Sequence, residues 1–167
     1  MKRKCFYSFH FAQDAMRASQ VRQIGAIEGN QPASDNDWEK VKGGGDRAIE
    51  KWIADQMDGK TCAIVLVGQH TANRRWINHE IVQAWNRGMG VVGIRIHGLK
   101  NWDQQTALCG ANPFDYITHG ATQKKLSSIV KCYDPVGIDS KARYAWIAAH
   151  LAAAVEEAIA IRKTYAA

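Results

Sequence analysis

The chain has 167 residues, a formal net charge of +6 and 46% hydrophobic side chains. This length and apolar content suffice for one globular domain with a core, and they exclude an intrinsically disordered protein. The 22 lysines and arginines are scattered in short runs. Such scatter favours a solvated basic surface first, a phosphate-bearing small ligand second and a nucleic-acid groove last.

The spacing of cysteines and apolar residues predicts a cytoplasmic protein without a metal site. None of the four cysteines forms a C-x-x-C pair, and no third ligand residue stands at a spacing suited to a metal. We find no signal peptide, and the most apolar stretch, residues 144–161, contains His150, Glu156 and Glu157. That stretch predicts a packed helix rather than a membrane span, and the thiols are expected to be reduced.

The first half of the chain alternates between strand-like and helical patterns. The aromatic run at residues 5–9 predicts a strand, and apolar residues at helical spacing predict a helix over residues 13–27. Residues 29–37 are rich in turn-forming residues and predict a loop. A second helix follows, with Asp46 as its predicted N-cap and its end at residues 58–59.

The second half contains the strongest strand patterns. Residues 61–68 and 90–96 are continuous apolar runs, which are typical of strands buried on both faces. The other predicted elements are a helix at residues 71–87, an irregular segment with one short helix at residues 102–116, a strand at residues 126–132 and a long helix at residues 140–163.

This order of elements predicts an α/β fold in a single domain over residues 1–167. Its parallel central sheet has about four to five strands, with helices on both faces. The second strand has the weakest pattern and is assigned to residues 24–29 or the loop after them. If the strand order is flavodoxin-like, ligands bind between the carboxyl ends of the first and third strands.

Trp76 and Glu80 fall on the helix that leaves the third strand. They are four residues apart, so they lie on one face, and Glu80 lies roughly 60° from the centre of the apolar stripe. An aromatic face beside a carboxylate suits a sugar or nucleotide with a developing positive charge. A surface glutamate over a packing tryptophan gives the same pattern, and for this spacing taken alone it is the favoured interpretation. Burial would raise the pKa of Glu80, and Arg74 or Arg75 would lower it.

Two histidines also fall at predicted strand ends. His10 follows the first strand and His70 follows the third. They are candidates for acid–base groups, but satisfied polar residues are the favoured interpretation.

Several segments, in order, resemble the TIR-like proteins of the bacterial Thoeris anti-phage system. The W-x-x-x-E spacing of Trp76 and Glu80 is similar to the signature of enzymatic TIR domains. The resemblance covers residues 4–116. Its other segments are residues 6–11 with Asp14, Arg17, Val21 and Arg22, then residues 37–39, 73–76 and 112–116.

The resemblance implies a flavodoxin-like TIR fold and an enzyme that consumes NAD as a substrate, with no cofactor. Such enzymes cleave the bond between nicotinamide and ribose, and Thoeris-type members convert the ADP-ribose part into a signal nucleotide, often cyclic, for a separate effector protein. It implies that Glu80 is the catalytic glutamate. The residues expected to bind substrate are Ser8, Phe9, His10, Asp37, Asn73, Arg74 and Trp76.

The sequence leaves several alternatives open. Attack by water on the ribose gives ADP-ribose, whereas attack by an internal hydroxyl gives a cyclic product. The trigger, either self-association or a phage protein, is not fixed. A non-enzymatic TIR-like adaptor and a nucleoside-deoxyribosyltransferase-like enzyme are the rival functions. An adaptor has no need of Glu80 beside Trp76, and the transferase would act on free nucleosides rather than NAD.

Overall fold

A computed structural model of the protein describes residues 2–29 and 41–165. These residues form a five-stranded parallel sheet in the order β2-β1-β3-β4-β5. The strands are β1 (Lys4–Ser8), β2 (Glu28–Gly29), β3 (Cys62–Val67), β4 (Gly90–Arg95) and β5 (Cys132–Tyr133). The main α-helices are α1 (Phe11–Arg22), α2 (Asp46–Met57), α3 (Arg75–Asn86) and α4 (Ser140–Thr164). The α/β fold with a flavodoxin-like strand order is confirmed.

Strands β3 and β4 form the centre of the sheet because β3 is apolar over its full length and β4 is apolar up to its last residue, Arg95. Every residue of β3 is buried, and β3 pairs with β4 from Cys62 opposite Gly90 to Val67 opposite Arg95. A side chain at Gly90 would lie 2.7 Å from the backbone nitrogen of Ile159 in α4. This glycine therefore permits the close packing of the longest helix on the sheet.

Helices cover both faces of the sheet, as predicted. The buried residues of α1 and α4 pack with Cys5 and Tyr7 on one face. The buried residues of α2 and α3 pack with Phe6 on the other. Strand β1 thus contributes alternate residues to two cores, and its carboxyl end opens between the two helical layers.

The apolar stripe predicted for the long C-terminal helix is buried in α4. It consists of Ile147, Leu151, Ala154, Val155 and Ala158. By length and composition alone, α4 could also cross a membrane. In the structure, however, its buried stripe packs against the central strands.

The prediction of a strand over residues 126–132 is wrong for most of that range. Residues Leu126–Ser128 form a 3₁₀ helix, and β5 contains only Cys132–Tyr133. The backbone NH groups of Ile129 and Val130 both donate to the carbonyl of Leu126, so the chain turns tightly where an extended strand was expected. Apolar residues here are buried in a turn, which periodicity does not distinguish from a short strand.

Two helix starts also differ from the prediction. Asp46 is the first residue of α2 and not its N-cap, which is Gly45 with φ of 85°. Helix α3 begins at Arg75 rather than near residue 71, because Asn73 adopts a left-handed backbone with φ of 61°. Asparagine tolerates this conformation better than most residues. The helix predicted over residues 13–27 is α1, which begins earlier, at Phe11, and ends at Arg22 rather than at residue 27. Residues 28–29 supply the weak second strand.

Candidate functional site

A cleft of about 1110 Å³ opens at the carboxyl end of β1. Its walls come from the start of α1, from α2, from the start of α3 and from the loop after β4. Six of the predicted site residues line it: Phe9, His10, Asn73, Arg74, Trp76 and Glu80. The cleft therefore lies at the crevice between β1 and β3, where the strand order reverses.

Local backbone geometry presents these residues to the cleft. His10 is the extended N-cap of α1, with φ of −79° and ψ of 99°, so Phe9 and His10 lie in the turn between strand and helix. Across the cleft, Arg74 is the extended N-cap of α3. Asn73, just before it, accepts a hydrogen bond at Oδ1 from the side-chain amide of Asn78, with 3.2 Å between the heavy atoms. That bond holds the turn into α3.

Glu80 projects from α3 toward the cleft with a carboxyl group that is poorly hydrated. Burial raises its pKa to about 8, and the neighbouring Ser8 hydroxyl acts in the opposite direction by a smaller amount. The side chain as a whole is partly exposed. Its Oε2 atom, however, is buried and has no hydrogen-bond partner among the described residues. The border position inferred from the helical angle is confirmed, but Arg74 and Arg75 are not among the causes of the shift.

Ser8 lies behind the site rather than on its wall. It is buried, with 1% of its surface exposed, and it is not one of the residues that line the cleft. Its hydroxyl is near enough to Glu80 to lower the pKa of the carboxyl, yet within the described residues Oγ makes no hydrogen bond of full geometry. Ser8 is thus placed to orient Glu80 rather than to line the cavity.

Cationic side chains border the cleft at the start of α3. Arg75 forms an ion pair with Asp46, 2.5 Å between Nη2 and Oδ2, and its guanidinium lies 4.6 Å from the centroid of the Trp76 ring. Arg74 forms no ion pair with any described residue. Burial and the charge of Arg74 lower the pKa of His10, which favours the neutral imidazole.

The two predicted histidines have different surroundings. His10 lines the cleft and His70 is exposed outside it. Asp37 lies outside the described residues, so its predicted role in substrate binding stays a prediction. Among the residues that the structure describes, no group of three His, Cys, Asp or Glu side chains could hold a metal ion.

Several further residues line the cleft that the sequence did not single out for function. Those with large or charged side chains include Lys42, Trp52 and Trp102. Trp52 occupies an apolar position in the α2 stripe, so its spacing indicates only a core residue. Trp102 lies in a turn, and Lys42 lies in a single helical turn at residues 41–43, and neither segment is long enough for periodicity to predict which way a side chain points.

Helix α1 is joined to the loop after β4 by the buried guanidinium of Arg17, which also forms an ion pair within the helix. Arg17 Nη1 lies 3.0 Å from Asp14 Oδ1, and both side chains are at most 5% exposed. The guanidinium also donates to the carbonyls of Leu99 and Gln105, at 2.8 and 3.0 Å. These bonds hold the loop after β4, which supplies Trp102 to the cleft.

Comparison with known proteins agrees with this geometry. Residues 6–101 match the sequence model of a family described as Thoeris protein ThsB, TIR-like domain. The chain is also similar to a protein of Bacillus cereus (strain MSX-D12) named "Putative cyclic ADP-D-ribose synthase ThsB1". The two are 32% identical over 123 residues, which cover 70% of this chain and 64% of that relative. The chain thus spans less than two thirds of the length of this relative.

Proposed function

This chain belongs to the Thoeris ThsB family of TIR-like domains, and on that basis we propose that it is an enzyme that cleaves the bond between nicotinamide and ribose in NAD. Glu80 is the catalytic carboxylate in this proposal. The observation that carries it is the position of Glu80, whose carboxyl is buried at the border of an aromatic cleft and short of hydrogen bonds.

The environment of Glu80 suits a reaction that develops positive charge on a sugar. Departure of nicotinamide leaves the ribose with oxocarbenium character, and a carboxylate beside it stabilises that charge. Nicotinamide is already a cationic leaving group in NAD, so no second carboxylic acid is needed to protonate it. Because the raised pKa of Glu80 reflects burial, the positive charge of the bound substrate would favour the ionised carboxylate.

Two features of the cleft suit the diphosphate of NAD. The first-turn residues of α1, Phe11, Ala12 and Gln13, line the cleft, and the N-cap His10 makes no side-chain capping bond. Backbone NH groups at such a helix start favour anions. Arg74 supplies a cation on the opposite wall, and it is not engaged by any acidic side chain in the described ranges.

The proposed product is a signal nucleotide derived from ADP-ribose, in cyclic form, that activates a separate effector protein in the cytoplasm during anti-phage defence. The printed name of the Bacillus cereus relative supports a cyclic product. Aromatic lining by Phe9, Phe11, Trp52 and Trp76 also supports it, because displacement of water from the ribose favours attack by an internal hydroxyl.

The test is incubation of the purified protein with NAD and, in parallel, with free nucleosides, followed by mass analysis of the products. We expect nicotinamide from NAD, a co-product with the mass of ADP-ribose less one water, and no reaction of nucleosides. A co-product with the mass of ADP-ribose itself would show that the enzyme hydrolyses NAD instead of forming a cyclic product. Base exchange on nucleosides with intact NAD would overturn the proposal in favour of a deoxyribosyltransferase.

An adaptor gives a different result. It would leave NAD intact, both alone and in extracts of phage-infected cells that contain the protein. If the protein is folded under both conditions, that outcome contradicts enzymatic function.

A further inference from the structure

Trp102 is an exposed tryptophan held beside the cleft. Its exposed fraction is 79%, and no other tryptophan among the described residues is exposed. A large apolar side chain in water gains nothing for the stability of the fold. Trp102 nevertheless lines the cleft together with Asn101 and Asp103.

The Trp102 loop, residues 99–105, is anchored to the rest of the molecule from two helices. Arg17 in α1 donates to the carbonyls at both ends of the loop, as described above. Gln20 in α1 donates from Nε2 to the carbonyl of Lys100 at 2.7 Å, and the NH of Lys100 donates to Ser140 Oγ of α4 at 3.0 Å. The ends of the loop are therefore fixed on α1 and α4.

The loop is also closed on itself. Asn101 Oδ1 accepts hydrogen bonds from the NH groups of Asp103 and Gln105, at 3.0 and 3.1 Å. The backbone NH of Asn101 donates to the carbonyl of Gln105, and that of Gln104 donates to the carbonyl of Asn101, each at 3.0 Å. Gln104 takes the left-handed conformation, with φ of 61°, to close this turn. The loop thus presents Trp102 in a defined direction without burying it.

The Trp102 loop is held in place by a buried, charged side chain. Burial of a charged guanidinium is strongly unfavourable unless its hydrogen bonds are satisfied. Arg17 satisfies them with Asp14 and with two carbonyls of the Trp102 loop. A preorganised loop that carries an exposed aromatic ring is typical of a ligand-binding position.

Trp102 and Glu80 reach the cleft from different sides. The Trp102 loop is bound to α1 and α4 on one face of the sheet, whereas Glu80 belongs to α3 on the other. The start of α1 lies on the cleft wall with both residues. A dinucleotide with one ribose at Glu80 and its diphosphate at the start of α1 would extend its second base toward Trp102.

We propose that Trp102 forms a subsite for the adenine base of NAD and of its ADP-ribose product, with the indole ring stacked on the base. This inference rests on the proposed function for the identity of the ligand. Stacking on an aromatic side chain is tolerant of the base and depends on its π face. The family match ends at residue 101, so it does not include Trp102.

The test compares Trp102→Ala and Trp102→Phe with the wild-type protein. Titration calorimetry measures binding of ADP-ribose, which contains adenine, and of nicotinamide mononucleotide, which does not. We expect the alanine variant to weaken ADP-ribose binding about 10-fold and the phenylalanine variant to restore most of it. Binding of nicotinamide mononucleotide should be unchanged. The control is Leu108→Ala, which removes another exposed apolar side chain that does not line the cleft.

Unchanged ADP-ribose binding in Trp102→Ala would overturn the subsite, as would an equal loss for both ligands. These titrations need no turnover, so they separate the two proposals. A Trp102-dependent affinity for ADP-ribose together with intact NAD would refute the cleavage reaction and retain the subsite. NAD cleavage without Trp102-dependent binding would refute the subsite and retain the cleavage reaction.

Discussion

Glu80 combines two properties at the scale of the single residue. Its carboxyl is buried, which favours the neutral form, and it borders a cleft that can admit a cationic ligand. A structural glutamate at the edge of a core would normally extend into water or pair with a cation. Arg74 and Arg75 are near in sequence, yet Arg75 pairs with Asp46 instead. Within residues 2–29 and 41–165, no cationic side chain forms an ion pair with Glu80, which leaves the carboxyl available to a positively charged substrate.

The raised pKa of Glu80 predicts a specific pH dependence of stability. Between the ordinary value of 4.5 and the folded value of about 8, the folded state binds more protons than the unfolded state. The free energy of unfolding therefore decreases as the pH rises through this range. Glu80→Gln lacks the titrating group, so it should be the more stable form at about pH 8.5, by at least about 1 kcal/mol or roughly 2–4 °C in Tm.

Thermal unfolding at about pH 4.5 and about pH 8.5 checks this prediction. The two proteins should have similar Tm values at the lower pH. The control is Glu50→Gln, which changes an exposed carboxylate on α2. A difference between Glu80→Gln and the wild type that is the same at both pH values would show that the carboxyl does not titrate in the range we assign.

At the scale of the element, α1 is fitted closely against the end of β3. A side chain at Gly68 would lie 2.0 Å from Oδ2 of Asp14, which is itself buried. Gly68→Ala must displace Asp14 and its partner Arg17, so we expect it to lower the free energy of unfolding by about 1–3 kcal/mol. Gly43→Ala is the matched control, because no atom of the described residues lies within 4 Å of the added methyl group. Chemical denaturation should separate the two variants, and equal stabilities would contradict the close approach.

The Asp14–Arg17 pair should contribute more to stability than an exposed pair on the next helix. Arg17→Met leaves Asp14 buried without its partner and frees the Trp102 loop, and the expected loss is about 3–5 kcal/mol. Lys51→Met removes the exposed pair with Asp55 and should change stability by less than about 1 kcal/mol. Denaturant titration of both variants measures the difference. A similar effect of the two substitutions would mean that Arg17 is not needed to neutralise Asp14.

Elements with a strong pattern could be predicted from the sequence, and those fixed by tertiary contacts could not. Strand β3 is apolar throughout, β4 is apolar up to its last residue, and the stripe of α4 follows helical spacing, so these three elements appear where expected. The short β5 is different, because the apolar residues before it form a 3₁₀ turn. Its length is set by pairing with β4 at only two positions, which no local pattern records.

The candidate site also contains some residues whose positions the sequence pattern predicts and others whose positions it does not. The spacing of Trp76 and Glu80, and the position of residues 9 and 10 after β1, indicate which side chains share the crevice. The inward position of Ser8 depends on the pleat of β1, and the exposure of Trp102 depends on the anchoring of its loop by Arg17 and Gln20. The anchoring of the Trp102 loop joins elements that are distant along the chain, which no local pattern records.

At the scale of the whole molecule, the order of the strands determines where the cleft and its residues lie. The order β2-β1-β3-β4-β5 brings the carboxyl ends of β1 and β3 together, while the helical layers on the two faces supply opposite walls. A ligand that spans these walls can meet Glu80, the start of α1 and Trp102 in sequence. The formal charge of +6 suits a ligand with a diphosphate and favours its encounter with the protein.

The most direct test of this account is the rate of nicotinamide release from NAD by the wild type, Glu80→Gln and Glu50→Gln. We predict that wild type and Glu50→Gln release nicotinamide at the same rate, whereas Glu80→Gln is slower by about 100-fold or more with its fold intact. Equal rates in all three proteins would contradict the role of Glu80. No release by folded wild-type protein, alone or in extract from phage-infected cells, would contradict the enzyme itself.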